Sequence, residues 1–281
     1  MRNRNQMDIT TYHQKYFRPS CMKALNLRFS DWKFFDPYYE KTHDQIQLPP
    51  ELTKTLEETL INYFSILREA ASTGVRACGS IGQGDQPFPI AYNFLSKAYQ
   101  HKLSYEKYVD SFAGIGHTSL IKLCRVPAGE GEIRYFYEIE TILLAEDLMV
   151  EYFGYYYGFI ELVHEKDGFR IADLSKIGED FLCAPYHGWD HDGEAVVDIK
   201  FGEWCKMIQY KYPTITNGYV KNICFRGKDG ADYCILFLKL TNGTDVEIAQ
   251  FRKAGNEPWK QVHIKPEEEC VPKNVEEPKK R

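Results

Sequence analysis

The sequence lacks a hydrophobic run long enough to cross a membrane. A membrane-spanning helix needs about 20 consecutive apolar residues, and the most apolar window, residues 141–163, carries Glu146, Asp147, Glu151 and Glu161. The opening residues, MRNRNQMDITTYHQKYFRPS, also lack the apolar stretch of about 7–15 residues that a secretory signal requires. We therefore expect a soluble protein that makes no membrane contact.

The cysteines lack any C-x-x-C spacing, although the chain contains 8 of them. Disulfide frameworks are typical of small secreted domains, and this chain is long and has no visible signal. We therefore expect free thiols and a cytoplasmic location. Cys205, Cys224 and Cys234 are expected to pack as small apolar side chains.

The chain also lacks an excess of positive charge. It has 35 Lys and Arg against 40 Asp and Glu, a formal net charge of −5, so we expect no nucleic-acid partner. Its apolar fraction of 43% and charged fraction of 27% are ordinary for a globular protein. A length of 281 residues predicts two domains, because a domain typically has about 100–150 residues.

Helical patterns dominate the first part of the chain. Apolar residues recur at helical spacing from about 51 to 72, and a second apolar stripe runs from Pro89 to about Lys102. Ser104 predicts the N-cap of a third, short helix. Residues 1–48 show no sustained period, so we expect an irregular N-terminal arm that either covers the core or binds a partner.

Strand patterns follow the helices. Alternation is clearest where Ile133, Tyr135, Tyr137 and Ile139 share one face of a strand. A turn at residues 166–168 predicts a hairpin. The predicted strands of this first domain, 49–182, are 120–126, 132–144, 149–165 and 169–174.

The second half predicts a shorter version of the same order. We expect a linker at 183–193, a domain at 194–264 and a disordered tail at 265–281. The domain should contain a helix at 194–210 and strands at 219–226, 233–240, 246–252 and 259–264. Both halves end with a long strand, a basic glycine-bearing hairpin and a short strand led by an aromatic residue, Phe169 or Trp259. We interpret this as an internal repeat.

The order of elements resembles that of nuclear transport factor 2-like proteins. The most specific part of the resemblance is the segment from Ile90 to Leu123, IAYNFLSKAYQHKLSYEKYVDSFAGIGHTSLIKL. This cystatin-like, cone-shaped superfamily includes ketosteroid isomerase and scytalone dehydratase. The resemblance implies an α+β class, with helices packed on a curled antiparallel sheet in two tandem cone-like domains, the second shortened. It also implies a pocket between sheet and helices, which enzymes use for small molecules and other members fill with side chains.

Six residues are candidates for chemistry in the first cavity, where a carboxylate among tyrosines would have a raised pKa suited to proton transfer. They are Tyr92, Tyr99, Asp110, His117, Glu138 and Glu140. The alternative is that the tyrosines pack and the carboxylates pair with arginine or face water. The chain has no paired catalytic residues that align with those of the enzyme members.

The segment CAPYHGWDHDGE from Cys183 is the candidate metal site, because His187, Asp190 and His191 carry typical divalent-metal ligands. The alternative, which we favour, is a polar linker with no metal and no other cofactor. Short motifs of this kind often match by chance.

The tyrosine-rich strand at residues 149–163 is either an interaction face, for example in a homodimer, or an element packed within the protein. We expect a non-enzymatic binding module for a protein partner or an unidentified small molecule. Some bacterial cone-fold proteins are immunity partners of toxins, so the resemblance extends to an immunity-like role. The alternative is a small-molecule isomerase, dehydratase or hydrolase that acts in the first cavity.

Overall fold

The computed structural model describes residues 23–29, 31–72, 82–145, 150–179 and 185–271. The chain divides into two compact units, Met1–Glu179 (unit 1) and Asp180–Arg281 (unit 2). Each unit combines helices with an antiparallel sheet, which confirms the predicted α+β class. Within the described ranges, no helix is both long and apolar enough to span a bilayer.

Short helices precede the sheet of unit 1. The α-helices are α1 (Leu56–Arg68), α2 (Pro87–Tyr92), α3 (Lys97–Lys102) and α4 (Tyr105–Asp110), and the 3-10 turns are Trp32–Phe34, Asp36–Tyr38, His43–Gln45 and Pro50–Thr53. The helix expected from 51 to 72 is shorter, since the Thr55 hydroxyl caps α1 by accepting from the N–H of Glu58. The helix expected from 89 to 102 is interrupted, because Leu95 bridges to Ile171 and Ser96 caps a new helix.

The sheet of unit 1 is an antiparallel meander. Its strands are β1 (Ile115–Val126), β2 (Ile133–Ala145), β3 (Val150–Glu165), β4 (Gly168–Leu174) and β5 (Ile177–Gly178). The spatial order is β1-β2-β3-β4, and β5 also pairs with β3. The predicted hairpin is present, and its Gly168 has a φ of +132° with a Thr53 atom where a Cβ would lie.

The core of unit 1 lies between α1 and one face of this sheet, which we call the helix face. Leu60 and Phe64 of α1 pack with Leu120, Tyr137 and Ile139, all of them buried. The rings of Phe64 and Tyr137 lie 5.3 Å apart. The strand alternation then places the intervening β2 residues on the opposite, outer face.

The described part of the expected N-terminal arm packs on this core. Phe35, Ile46 and Leu48 are buried in it. Asn26 is fully buried and donates to the carbonyl oxygens of Phe64 (2.8 Å) and Thr118 (3.0 Å). These bonds fasten the segment between α1 and β1, as a covering arm requires. Residues 1–22 lie outside the described part of the chain.

Unit 2 has one main helix and a second sheet. After a 3-10 turn (Pro185–His191), α5 (Gly193–Val196) runs directly into a π-helix (Val197–Trp204). The later elements are β6 (Ile208–Lys211), β7 (Ile215–Asn217), β8 (Val220–Gly227), β9 (Ala231–Lys239), β10 (Asp245–Ala254), β11 (Lys260–Val262) and α6 (Pro266–Glu269). The antiparallel order is β11-β10-β9-β8-β6, and β7 also pairs with β8. Phe201 packs in the core with Phe225 and Phe237.

Two elements of unit 2 differ from expectation. The helix predicted to reach residue 210 ends at Trp204, since Lys206 adopts a left-handed φ of 54° and Ile208–Lys211 pairs with β8. The tail expected to be disordered from 265 begins with the helix α6, whose first turn has proline at its start. Residues 272–281 of that tail lie outside the described ranges.

The expectation of free thiols is wrong for four cysteines. Cys205 is bonded to Cys270, and Cys224 is bonded to Cys234. Cys224 and Cys234 face each other directly across β8 and β9, so the sheet register brings their sulfur atoms together. The first pair fastens α6 to the end of the π-helix. Cys21, Cys78 and Cys183 lie outside the described residues.

Candidate functional site

The helix face of unit 1 is occupied by side chains, and two of the predicted cavity residues belong to this packing. Tyr92 on α2 is buried, and its hydroxyl donates to the carbonyl oxygen of Leu103 at 2.8 Å. The Tyr99 hydroxyl donates to the carbonyl oxygen of Leu174 at 3.3 Å. Burial raises the pKa of both phenols. Their hydroxyls therefore form hydrogen bonds within the packed interior of unit 1.

The carboxylates among the candidates lie elsewhere. Asp110 ends α4 and is exposed. Glu138 and Glu140 project from the outer face of β2, where Glu138 forms an ion pair with Lys122 at 2.7 Å. Glu140 accepts a hydrogen bond from the Tyr155 hydroxyl, also at 2.7 Å. The sheet thus separates Glu138 and Glu140 from Tyr92 and Tyr99, and the six candidates do not converge on one cavity.

Two candidates, His117 and Glu140, do line the same cleft of about 370 Å³ on the outer face of unit 1. The other lining residues are Ala24, Leu27, Arg68, Ser119, Thr141, Ile142 and Phe153. The strand register explains this meeting, because Ser119 on β1 pairs with Glu140 on β2 and His117 pairs with Ile142. We call this the outer cleft.

Arg68, the last residue of α1, reaches into the outer cleft and donates from its guanidinium to the Ser119 hydroxyl at 2.9 Å. Burial lowers the pKa of His117 to about 4, and the nearby positive charge of Arg68 acts in the same direction. The imidazole is therefore neutral at pH 7 and one of its ring nitrogens is a hydrogen-bond acceptor.

The outer cleft combines a permanent cation with acceptors and an apolar wall. A guanidinium has five N–H donors in a planar fork, so Arg68 can bind a carboxylate or phosphate while it contacts Ser119. Phe153 and Leu27 are 50% and 55% exposed and supply apolar surface beside it. The arrangement suits a ligand that carries an anionic group next to an apolar one.

Sequence reasoning missed Arg68 and Ser119. A period-two alternation along β1 places His117 and Ser119 on one face, so this signal was available for the serine. Arg68 was not predictable, because it ends a helix far from β1 in the chain.

The metal candidates lie in unit 2. The ring nitrogen Nδ1 of His191 lies 3.1 Å from the Thr244 hydroxyl, in hydrogen-bond contact. Asp190 is exposed at the margin of a different cleft. The side chain of His187 lies outside what the structure describes. Among the described residues, no group of three or more His, Cys, Asp or Glu side chains is arranged to hold a metal ion.

Comparisons with known proteins give little further information. No protein-family model matches the chain. No curated protein matches it either. One solved structure, described as "Ntf2 like protein involved in plasmid conjugation", is similar over 61% of this chain and 90% of its own, with 8% identity and a TM-score of 0.20. A TM-score this low supports no argument about this protein, so the cone-shaped fold stays a prediction.

Proposed function

We propose that the protein is a non-enzymatic binding module of two tandem cone-like units, whose unit 1 binds a protein partner through the outer cleft. One observation carries the proposal: the helix face is packed with side chains, whereas the outer face presents a cleft with exposed apolar walls. The tyrosines of the interior donate to backbone carbonyls, which suits a structural role. The outer cleft is therefore the surface that we expect to contact the partner.

The chemistry of the outer cleft indicates which groups the partner would present to it. Arg68 offers donors for a carboxylate, and Phe153 offers half-exposed aromatic surface beside it. Arginine and aromatic residues are enriched at the centres of protein interfaces. We therefore propose that the partner presents an acidic side chain or a C-terminal carboxylate next to an apolar side chain.

Native mass spectrometry of the full chain purified from its source, with variants, tests this proposal. Phe153→Ser and Arg68→Gln should each lose a protein that co-purifies with the wild type. Tyr39→Ser is the matched control, because Tyr39 is 67% exposed and lies outside the outer cleft. A partner that all four proteins retain equally would show that the outer cleft is not the interface.

A small-molecule isomerase, dehydratase or hydrolase at the outer cleft is the second candidate. It is favoured by the neutral imidazole of His117, which shares the cleft with Glu140. A neutral imidazole has a ring nitrogen that can accept a hydrogen bond or a proton from a bound molecule. The same mass spectra separate the two functions: a small molecule retained by the wild type and lost in His117→Gln supports the enzyme.

The disulfides also bear on the compartment. Disulfide bonds persist in oxidising surroundings and are rare in the cytoplasm of most organisms. The bonds Cys205–Cys270 and Cys224–Cys234 therefore favour an oxidising compartment over the expected cytoplasmic one. Thiol labelling of the protein in intact cells tests this, since a cytoplasmic protein would be labelled at Cys270 without prior reduction.

A further inference from the structure

Unit 2 contains a cleft of about 500 Å³ that the sequence analysis did not anticipate. It is lined by Trp189, Asp190, Val196, Lys200, Trp204, Phe237, Asp245, Glu247 and Glu267. We call it the tryptophan cleft. All of its residues belong to unit 2, so the inference below does not rest on the proposal for unit 1.

Two indole rings form a corner of this cleft. Trp189 and Trp204 have ring centroids 5.7 Å apart and planes at 82° to each other. Both side chains are only partly buried. In this edge-to-face contact the edge of one indole lies against the face of the other, and the ring surface that stays exposed in the cleft can attract an organic cation.

The charged residues of the tryptophan cleft are mainly acidic. It has four carboxylates, from Asp190, Asp245, Glu247 and Glu267, and a single lining cation, Lys200, which forms an ion pair with Glu267. Within the described part of the chain, Asp190 and Glu247 form no ion pair. The lining therefore has an excess of negative charge that a cationic ligand would neutralise.

Asp245 is the lining carboxylate that already has cations of its own. Its side chain is 1% exposed, and its Oδ2 accepts from the ammonium of Lys221 and from the N–H of Gly193 (2.9 Å). Its Oδ1 is buried and has no hydrogen-bond partner among the described residues, and the Lys239 ammonium is 3.9 Å away. Lys221 and Lys239 thus balance the charge of Asp245, and the carboxylates left to attract a cationic ligand are those of Asp190 and Glu247.

Two links hold the walls of the cleft together. The disulfide Cys205–Cys270 joins the residue after Trp204 to the end of α6, and the ion pair between Lys200 and Glu267 joins the same two elements. The wall that carries Lys200 and Trp204 is the π-helix, a rare conformation that is frequent at functional sites. A site held in this way loses little entropy when a ligand binds.

We propose that the tryptophan cleft is a binding site for an organic cation of the alkylated ammonium class. Such a cation has apolar methyl or methylene groups that pack on Trp189 and Trp204. Its positive charge faces the carboxylates of Glu247 and Asp190. A metal ion fits less well, because the described residues form no set of three metal ligands.

The test compares choline with its uncharged isostere, 3,3-dimethylbutan-1-ol, by isothermal titration calorimetry on the full-length disulfide-bonded protein. Choline should bind at one saturable site, and the neutral isostere should bind about tenfold more weakly or less, since it lacks the cation–π attraction. Equal binding of the two compounds would overturn the proposal. So would tighter binding of guanidinium than of choline, or no binding of choline at millimolar concentrations.

Three variants test whether choline binds in the tryptophan cleft. Trp204→Leu should weaken choline binding by about tenfold, and Trp204→Phe should weaken it less, because a phenyl face attracts cations less strongly than indole. Glu247→Gln should also weaken it, and more so at low salt than at high salt. Trp259→Leu is the control, since Trp259 is 46% exposed and outside the cleft. Choline affinity that is the same in Trp204→Leu, Trp204→Phe and Glu247→Gln as in the wild type would place the binding elsewhere and overturn the proposal.

Discussion

The Lys122 ammonium lies 2.7 Å from the Glu138 carboxylate across neighbouring strands, and the two side chains are 8% and 0% exposed. A buried ion pair is costly to form, because both charges lose their hydration, and it is still more costly to break on one side only. A substitution of only one member of this pair should therefore lower the free energy of unfolding.

Glu138→Gln should lower the free energy of unfolding by about 3–5 kcal/mol, because it removes the carboxylate that pairs with the buried Lys122 ammonium. The double variant Lys122→Met/Glu138→Leu should recover most of this loss. Urea unfolding measures both. The exposed pair of Glu257 and Lys260, also 2.7 Å apart, is the control, and Glu257→Gln should leave stability unchanged. A loss in the double variant as large as in Glu138→Gln would contradict the argument.

The stability of unit 1 should depend on pH through His117. In the unfolded chain a histidine binds its proton near pH 6.5, whereas the folded protein does so only near pH 4. The unfolded state therefore binds more protons between these values, and the free energy of unfolding falls as the pH falls from about 6.5 to 4. The slope from this group should stay below about 1.4 kcal/mol per pH unit, since the two states differ by at most one bound proton at this side chain.

Urea unfolding of the wild type and of His117→Gln at pH 7, 5.5 and 4.5 measures this contribution. The variant should lose less stability than the wild type as the pH falls. Parallel pH profiles for the two proteins would show that the folded imidazole titrates like an ordinary histidine.

Much of unit 1 was predictable from local patterns. The alternation of Tyr135, Tyr137 and Ile139 identified the buried face of β2, and the turn at residues 166–168 identified the β3–β4 hairpin. The outer cleft was not predictable, because Arg68 and His117 are far apart in sequence and only the packing of α1 on β1 brings them together. For the same reason no local pattern indicates that Cys205 pairs with Cys270, across a separation of 65 residues.

Substitution of Asn26, in the N-terminal segment, should lower the stability of the protein. Besides donating to two carbonyl oxygens, its side-chain oxygen accepts from the N–H of Leu120 at 2.9 Å. Asn26→Ala leaves these buried backbone groups without partners, which should cost about 3 kcal/mol. Gln47→Ala, at an exposed position of the same segment, is the control and should change stability little. Thermal unfolding followed by circular dichroism measures both, and equal midpoints would refute the structural role of Asn26.

The two disulfides should differ in their contribution to stability. The bond Cys205–Cys270 closes a segment with a separation of 65 residues, and Cys224–Cys234 closes one with a separation of 10. The chain-entropy model gives about 4 kcal/mol for the first and about 3 kcal/mol for the second. The double variants Cys205→Ala/Cys270→Ala and Cys224→Ala/Cys234→Ala, compared by guanidinium unfolding, should lose stability in that order. The reverse order would show that the length of the closed segment does not determine how much each disulfide stabilises the protein.

The position of the Cys205–Cys270 bond also has a mechanical consequence. Every strand of the second sheet, from β6 to β11, lies between these two cysteines. If the protein is pulled by its ends, the tension passes across the sulfur bridge and bypasses the whole sheet. Reducing the bond would release up to about 220 Å of extensible chain, because an extended residue spans about 3.4 Å. The second sheet is thus protected from tension for as long as this one covalent link is oxidised.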